Sequence, residues 1–256
     1  MSVHDDLGNR MKEYEKVPSV KLMKRTPVII RLDGKSFHTL TKGFQKPFDD
    51  VLVKTMQETM KYLCENIQGC IFGYTQSDEI TLVLTDYATF ETSAWFNYEV
   101  QKLCSISAST TTFAFNKFFN INIEKWKEKK FSFETNKLNI IYNKALEKGA
   151  MFDARCFNIS KEEVTNCIYW RQLDAKRNSI LSMGQAYFSN KELQNKSCNM
   201  IEKMLEDSNN NYPIWNQLPT YLKWGTACIK TEEGWIIDKN MPMLKGEDRN
   251  YLEKFI

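Results

Sequence analysis

Five polar residues, T-Q-S-D-E, separate the apolar run at 70–74 from the apolar run at 80–84. Each run has the length of a strand, and the link is short enough for a hairpin, which makes the two antiparallel neighbours. A third run, V-I-I-R-L at 28–32, is β-branched and ends at Asp33-Gly34, a buried strand followed by a turn. Between that strand and the hairpin, Leu52, Met56, Met60, Leu63 and Ile67 recur at helical spacing. After the hairpin, 90–119 reads as a long, mainly helical stretch and 151–159 as a strand. The resulting order, β-α-β-β-α-β over residues 28–159, is that of the split βαβ, ferredoxin-like arrangement, in which the first strand lies beside the third.

Around this core the chain reads more simply. Residues 6–15 suggest a short helix, and Pro18 and Pro27 break the segment between it and the first strand. Residues 121–148 are polar and Asn/Lys-rich and read as a loop or small excursion. Residues 162–188 read as a long helix, 198–205 as a short one, 207–212 as a loop, and 224–230 with 234–238 as a terminal hairpin. The expected class is α+β, one catalytic unit over 1–256 with a core at about 28–190 and a C-terminal helical and β extension at about 191–256.

Charge is uneven. Between Lys117 and Lys148 there are eight lysines and four acidic residues, against a formal charge of only +3 for all 256 residues. A mildly basic chain permits a nucleic-acid partner without requiring one. The seven cysteines contain no C-x-x-C pair, and His4 and His38 are the only histidines, so a zinc site is not expected. The thiols read as buried groups of a reducing compartment, and the absence of an apolar run near the roughly 18 residues of a membrane span points to the cytoplasm and away from a membrane.

The stretch R-L-D-G-K-S-F at 31–37 allows two chemistries. A P-loop needs a glycine five positions before Gly34, and that position is Ile29, so the phosphate-cradling loop is missing. A metal site needs a second carboxylate. Asp78, 45 positions after Asp33, stands at the hairpin, and a first strand beside a third lets the two converge. Two carboxylates facing one space suit Mg²⁺, and two such ions can clamp the attacking and leaving oxygens of phosphoryl transfer. Asp-Gly and Ser-Asp-Glu are also ordinary turn and loop sequences, so the pattern alone leaves a structural reading open.

Six segments in order, R-L-D-G-K-S-F-H, K-P-F-D-D, S-D-E-I-T-L-V-L, M-F-D-A-R, Y-W-R-Q-L-D and L-P-T-Y-L-K-W-G-T, resemble the tRNA-His guanylyltransferase superfamily. They are closer to its guanylyltransferase-like branch. The resemblance implies a polymerase-type palm and addition of nucleotides to the 5′ end of tRNA in the 3′-to-5′ direction. It implies activation of a 5′-monophosphate with ATP or GTP, attack by the 3′-hydroxyl of an incoming NTP, and two Mg²⁺ ions. By the same resemblance, Asp33, Asp78 and the Gly34 carbonyl are metal ligands, with Glu79 supporting the site. Lys35, Ser36, Phe37, His38, Lys46 and Ser77 fall at nucleotide positions, His38 being equally open to a packing role. Arg155, Arg171, Asn178 and Lys196 match positions near the RNA or its 5′ phosphates. Arg171 is also placed to pair with Asp174 on one helix face, and Trp170 reads as core. Lys127, Lys129 and Lys130 are candidates for the RNA backbone. The family usually assembles as a homotetramer.

The eukaryotic enzyme carries H-I-N-N where this chain has Lys176, Arg177, Asn178 and Ser179, a departure that favours 5′-end repair over histidine-tRNA maturation. Two other readings stay open: a palm-type nucleotide cyclase acting on NTP alone, and an RNA-binding module whose acidic residues are structural.

Overall fold

The computed structural model describes residues 3–129, 133–207 and 213–256. Helix α1 (Val3–Lys16) precedes strand β1 (Val28–Gly34). The short α2 (Phe37–Leu40) and α3 (Asp50–Asn66) lead to β2 (Cys70–Gln76) and β3 (Glu79–Leu84). Helices α4 (Val100–Lys129) and α5 (Phe133–Lys148) then precede β4 (Phe152–Asn158). The long α6 (Lys161–Tyr187) is followed by α7 (Asn190–Leu193), α8 (Cys198–Glu206) and α9 (Thr220–Trp224). Strands β5 (Thr226–Thr231) and β6 (Gly234–Asp238) and helix α10 (Asn250–Glu253) complete the chain.

The strands form one sheet in the order β4-β1-β3-β2-β5-β6, with every neighbouring pair antiparallel. The first four strands are the expected β-α-β-β-α-β core, with β1 between β4 and β3. The C-terminal hairpin continues the same sheet beyond β2.

Alternation along β1 builds both layers. Val28, Ile30 and Leu32 point into the core made with α3, α4 and α5, while Ile29 points to the opposite face with Val164 and Ile168 of α6. Arg31 and Asp33 share the Ile29 face. That face therefore turns from apolar to polar as β1 approaches its C-terminal end.

Residues 90–119 are mainly helical, as expected, with α4 beginning at Val100 after a turn in which Phe96, Asn97 and Tyr98 all have positive φ. One part of the fold departs from expectation. The segment 121–148 is not a loop. It supplies the last turns of α4 and all of α5, and its Ile123, Trp126 and Tyr142 are buried core residues. Most of the expected loop at 207–212, residues 208–212, lies outside the described residues, as do Lys130 and the side chain of Lys129.

Tyr142 also ties α5 to the start of α3. Its hydroxyl donates to Asp49 Oδ2 at 2.8 Å, while Asp49 Oδ1 caps α3 by accepting from Leu52 N at 3.0 Å. All seven cysteines are free, and no helix among the described residues is long and apolar enough to cross a membrane.

Candidate active site

The β2–β3 turn is tighter than its sequence implied, because the strands run on until only Ser77 and Asp78 remain between them. Ser77 takes the left-handed conformation, φ 49°, that such a two-residue turn needs. Gly34 N donates to the Asp78 carbonyl at 3.1 Å, so the turn is fastened to the end of β1. Asp33, one residue before, lies in register with Glu79 on one side and Asp153 on the other. Asp33 and Asp78 thus converge as expected.

Their electrostatics is that of an uncompensated pair. Burial pushes the Asp78 carboxyl above the usual aspartate range, and the negative charge of Asp33 adds to the shift, although Ser77 Oγ donates to Asp78 Oδ1 at 3.1 Å. Neither Asp33 nor Asp78 has an ion-pair partner among the described residues.

Glu79 contrasts with them. Burial raises its carboxyl, and the Arg171 guanidinium opposes that shift by gripping both oxygens at 2.7 Å. Arg171 also reaches Asp174 at 2.8 Å and is 8% exposed. It therefore works inside the protein and does not reach toward RNA phosphates. Glu79, already neutralised, is a support for the site rather than a spare ligand. Trp170 is not core. It is 52% exposed, and its ring carries the guanidiniums of Arg171 at 4.5 Å and Arg31 at 5.4 Å.

Gly34 has a reason that differs from the expected close approach to a metal. A Cβ there would collide with the Phe37 ring, and Phe37 is wedged edge-on against Phe115 and Phe152 at 5.3 and 5.1 Å. Gly34→Ala should therefore destabilise the fold by about 1–3 kcal/mol, the range for overpacking a full core. Thermal melting checks this, and the double variant Gly34→Ala/Phe37→Leu should recover part of the loss.

The other predicted nucleotide positions divide. Lys35 is exposed, but its amide donates to the Met151 carbonyl at 2.8 Å and is not open to a phosphate. Ser36, Phe37 and His38 have backbone N–H groups with no backbone partner among the described residues, while the Phe37 side chain is core. His38 is exposed, which removes its packing role.

Lys46, Ser77 and Asn178 line a cavity of about 280 Å³ between α3 and α6, off the ends of β2 and β5. Ser77 joins this cavity to the carboxylate pair. Lys196 is exposed and stands outside the lining. Arg155 pairs with Asp153 at 3.2 Å, and Lys127 with Glu124 at 2.7 Å.

Two parts of the site escaped the sequence reading. Arg31 lies two positions before Asp33 and in register with Arg155, so alternation along β1 would have put it on the catalytic face. It has no ion-pair partner among the described residues. The far wall of the cavity comes from Tyr221, Leu222, Gly225 and Thr226. Gly225, at φ 93°, packs so closely that a Cβ would meet Tyr74 Oη at 2.6 Å and the Thr75 carbonyl at 2.7 Å. No local spacing in the sequence announces this wall, because it forms only when β5 docks on β2.

Residues 8–160 match the family described as tRNAHis guanylyltransferase, Thg1. The chain belongs to the Thg1 family. Like the family, it is a nucleotidyltransferase, and the family's palm accounts for the β1–β4 core. A bacterial Thg1-like protein solved in complex with ATP is 39% identical, with 97% of this chain and 98% of that one covered and a TM-score of 0.83. A bacterial Thg1-like protein solved in complex with GTP is 36% identical over the same shares, with a TM-score of 0.74. A protein of Acanthamoeba polyphaga mimivirus is 28% identical over 246 residues, 89% of this chain and 78% of that protein.

Thg1 chemistry implies Mg²⁺, and the carboxylate pair fits it. Two oxygen ligands with no protein cation between them, one held above its normal pKa by burial and by the other, are stabilised by a hard divalent ion. Among the described residues no group of three or more His, Cys, Asp or Glu that could hold a metal ion is found, so the two carboxylates would be only part of a coordination shell. That suits Mg²⁺, which keeps waters and substrate phosphates as ligands.

Proposed function

We propose that this Thg1-family chain extends the 5′ end of tRNA in the 3′-to-5′ direction, using the opposite strand as template, and that 5′-truncated tRNA is its substrate class. The observation that carries the reading is a cavity of about 280 Å³, lined by both apolar and polar side chains, joined through Ser77 to two carboxylates that have no ion-pair partner among the described residues. A nucleotide laid across them has its base in the cavity and its triphosphate beside Asp33 and Asp78. That bacterial Thg1-like relatives were solved in complex with ATP and with GTP supports nucleotide binding by this chain.

Asp33 and Asp78, with the Gly34 carbonyl, would hold Mg²⁺, which supplies charge stabilisation to the reacting phosphoryl oxygens. Lys46, exposed at the cavity, brings a mobile positive charge to the triphosphate. Arg171 keeps the Glu79 carboxylate turned away from the substrate and neutral in effect. Arg31 and the exposed Arg155 offer guanidinium forks to the RNA 5′ phosphates on the face that carries Asp33. Arg31→Ala should weaken RNA binding about tenfold and lower the slope of log affinity against log salt by about 1, as loss of one phosphate contact does. Filter binding across a salt series reads both.

Free cysteines support a cytoplasmic home, and the exposed apolar residues Leu7, Met11 and Tyr14 along α1 support burial against further copies in a homotetramer, which sedimentation would test. The central experiment is incorporation of labelled NTP onto 5′-monophosphorylated, 5′-truncated tRNA with Mg²⁺ and ATP. Template-matched addition is the expected result. No addition across a panel of truncated tRNAs would overturn the reading.

A further inference from the structure

The floor of the cavity is a pair of buried side chains, Gln57 of α3 and Thr226 of β5, each 2% exposed. Gln57 Nε2 donates to Thr226 Oγ1 at 2.9 Å, a bond between residues 169 positions apart. Gln57 Oε1 accepts nothing from the described residues, yet it is not among their sealed, unpartnered polar atoms, so it opens onto the cavity. A carbonyl oxygen left without a partner at such depth is costly unless a ligand or water satisfies it. Asp49 also lines the cavity, but its carboxylate is consumed by Leu52 N, Gln45 N and the Tyr142 hydroxyl. With Phe44, Leu52 and Met56 also in the lining, the Gln57 amide is an uncharged polar edge among apolar side chains.

We propose that Gln57, held by Thr226, reads the 6-position of a purine base and takes adenine or guanine by turning its amide. The inference rests on the cavity's being the nucleotide's. Adenine presents an amino donor at that position, and guanine presents a carbonyl acceptor. With Oε1 toward the cavity, Gln57 accepts from the adenine amino group while Nε2 donates to Thr226. With the amide turned through half a rotation, Nε2 donates to guanine O6 and Oε1 accepts from the Thr226 hydroxyl. A hydroxyl can exchange donor and acceptor roles, so the buried half of the amide is satisfied in both states.

Equilibrium binding of ATP, GTP and purine riboside triphosphate, which has no 6-substituent, tests this on the whole protein without RNA. The native protein should bind ATP and GTP within about tenfold of each other, and each about tenfold more tightly than the unsubstituted nucleotide, the scale of one buried hydrogen bond. Gln57→Met, of similar volume, should bring all three within about twofold. Thr226→Val keeps the side-chain volume and removes the exchange partner. It should shrink the advantage of both substituted purines by about fivefold or more while melting close to the native protein, which guards against a folding artefact. An advantage of ATP and GTP that survives in Gln57→Met, or in a folded Thr226→Val, overturns the inference and leaves the proposed function standing. Failure of all three nucleotides to bind overturns the nucleotide reading of the cavity, and this inference with it.

Discussion

Replacing Asp33 or Asp78 with alanine should reduce nucleotide addition by at least about a thousandfold, the loss expected when a group holding charge against a reacting phosphoryl centre is removed. The same variants should not unfold the protein. Asp78 is buried beside Asp33, its carboxyl is raised by that burial and by its neighbour, and no cation within the described chain compensates it. A carboxyl whose pKa is raised in the folded state costs stability once the pH lies above that raised value. The cost fades as the pH falls through it. Asp78→Ala should therefore melt at or above the native temperature at neutral pH without metal, and the difference should shrink on acidification. Activity lost together with stability at neutral pH would mark the aspartate as structural and sink the metal reading.

Arg171→Met should lower stability by about 3–5 kcal/mol, since it strips a buried carboxylate of the guanidinium that pairs with it and leaves Glu79 charged in a dry site. At the few degrees per kcal/mol expected of a chain this size, the melting temperature should fall by roughly 10 °C. The pH dependence discriminates the cause. Without Arg171, the burial that already raises the Glu79 carboxyl loses its main opposition, with only the charge of Arg31 still lowering it among the causes of the shift, so its pKa rises further. The penalty should be largest at neutral pH and ease under acid, as Glu79 takes up a proton. The double variant Arg171→Met/Glu79→Gln should regain much of the loss. If Arg171→Met instead melts like the native protein and loses only RNA affinity, Arg171 contacts substrate after all.

Much of this architecture could be read directly from the chain. The runs around β1, β2 and β3 are apolar on both faces and short, so their strand character does not depend on partners, and Asp33 with Asp78 follows from their order. The error over 121–148 has a physical cause. The buried face of this segment includes Asn122, whose amide donates to Thr55 Oγ1 at 3.2 Å and to Glu58 Oε2 at 2.7 Å. A polar residue at a core position hid the helical period, and the lysine surplus completed the disguise. Arg171 was left between two partners because Asp174 is local in sequence, whereas Glu79 is 92 positions away and becomes adjacent only through packing of α6 on the sheet. Trp170 was misread because an indole suggests a core, and only the two guanidiniums on its ring explain its exposure.

The hairpin that docks on β2 spreads the cavity over two stretches of the chain. The family match ends at residue 160, while Asn178, Tyr221 and Thr226, which wall the cavity, all come later. The cavity is thus shared between the matched stretch, which supplies Lys46, Gln57 and Ser77, and the later one, joined by the pairing of β5 with β2 and by the hydrogen bond from Tyr74 Oη to the Trp224 carbonyl at 2.8 Å. A chain ending with the palm would keep Asp33, Asp78 and Gln57 and lose Thr226, the hydroxyl on which the Gln57 amide rests.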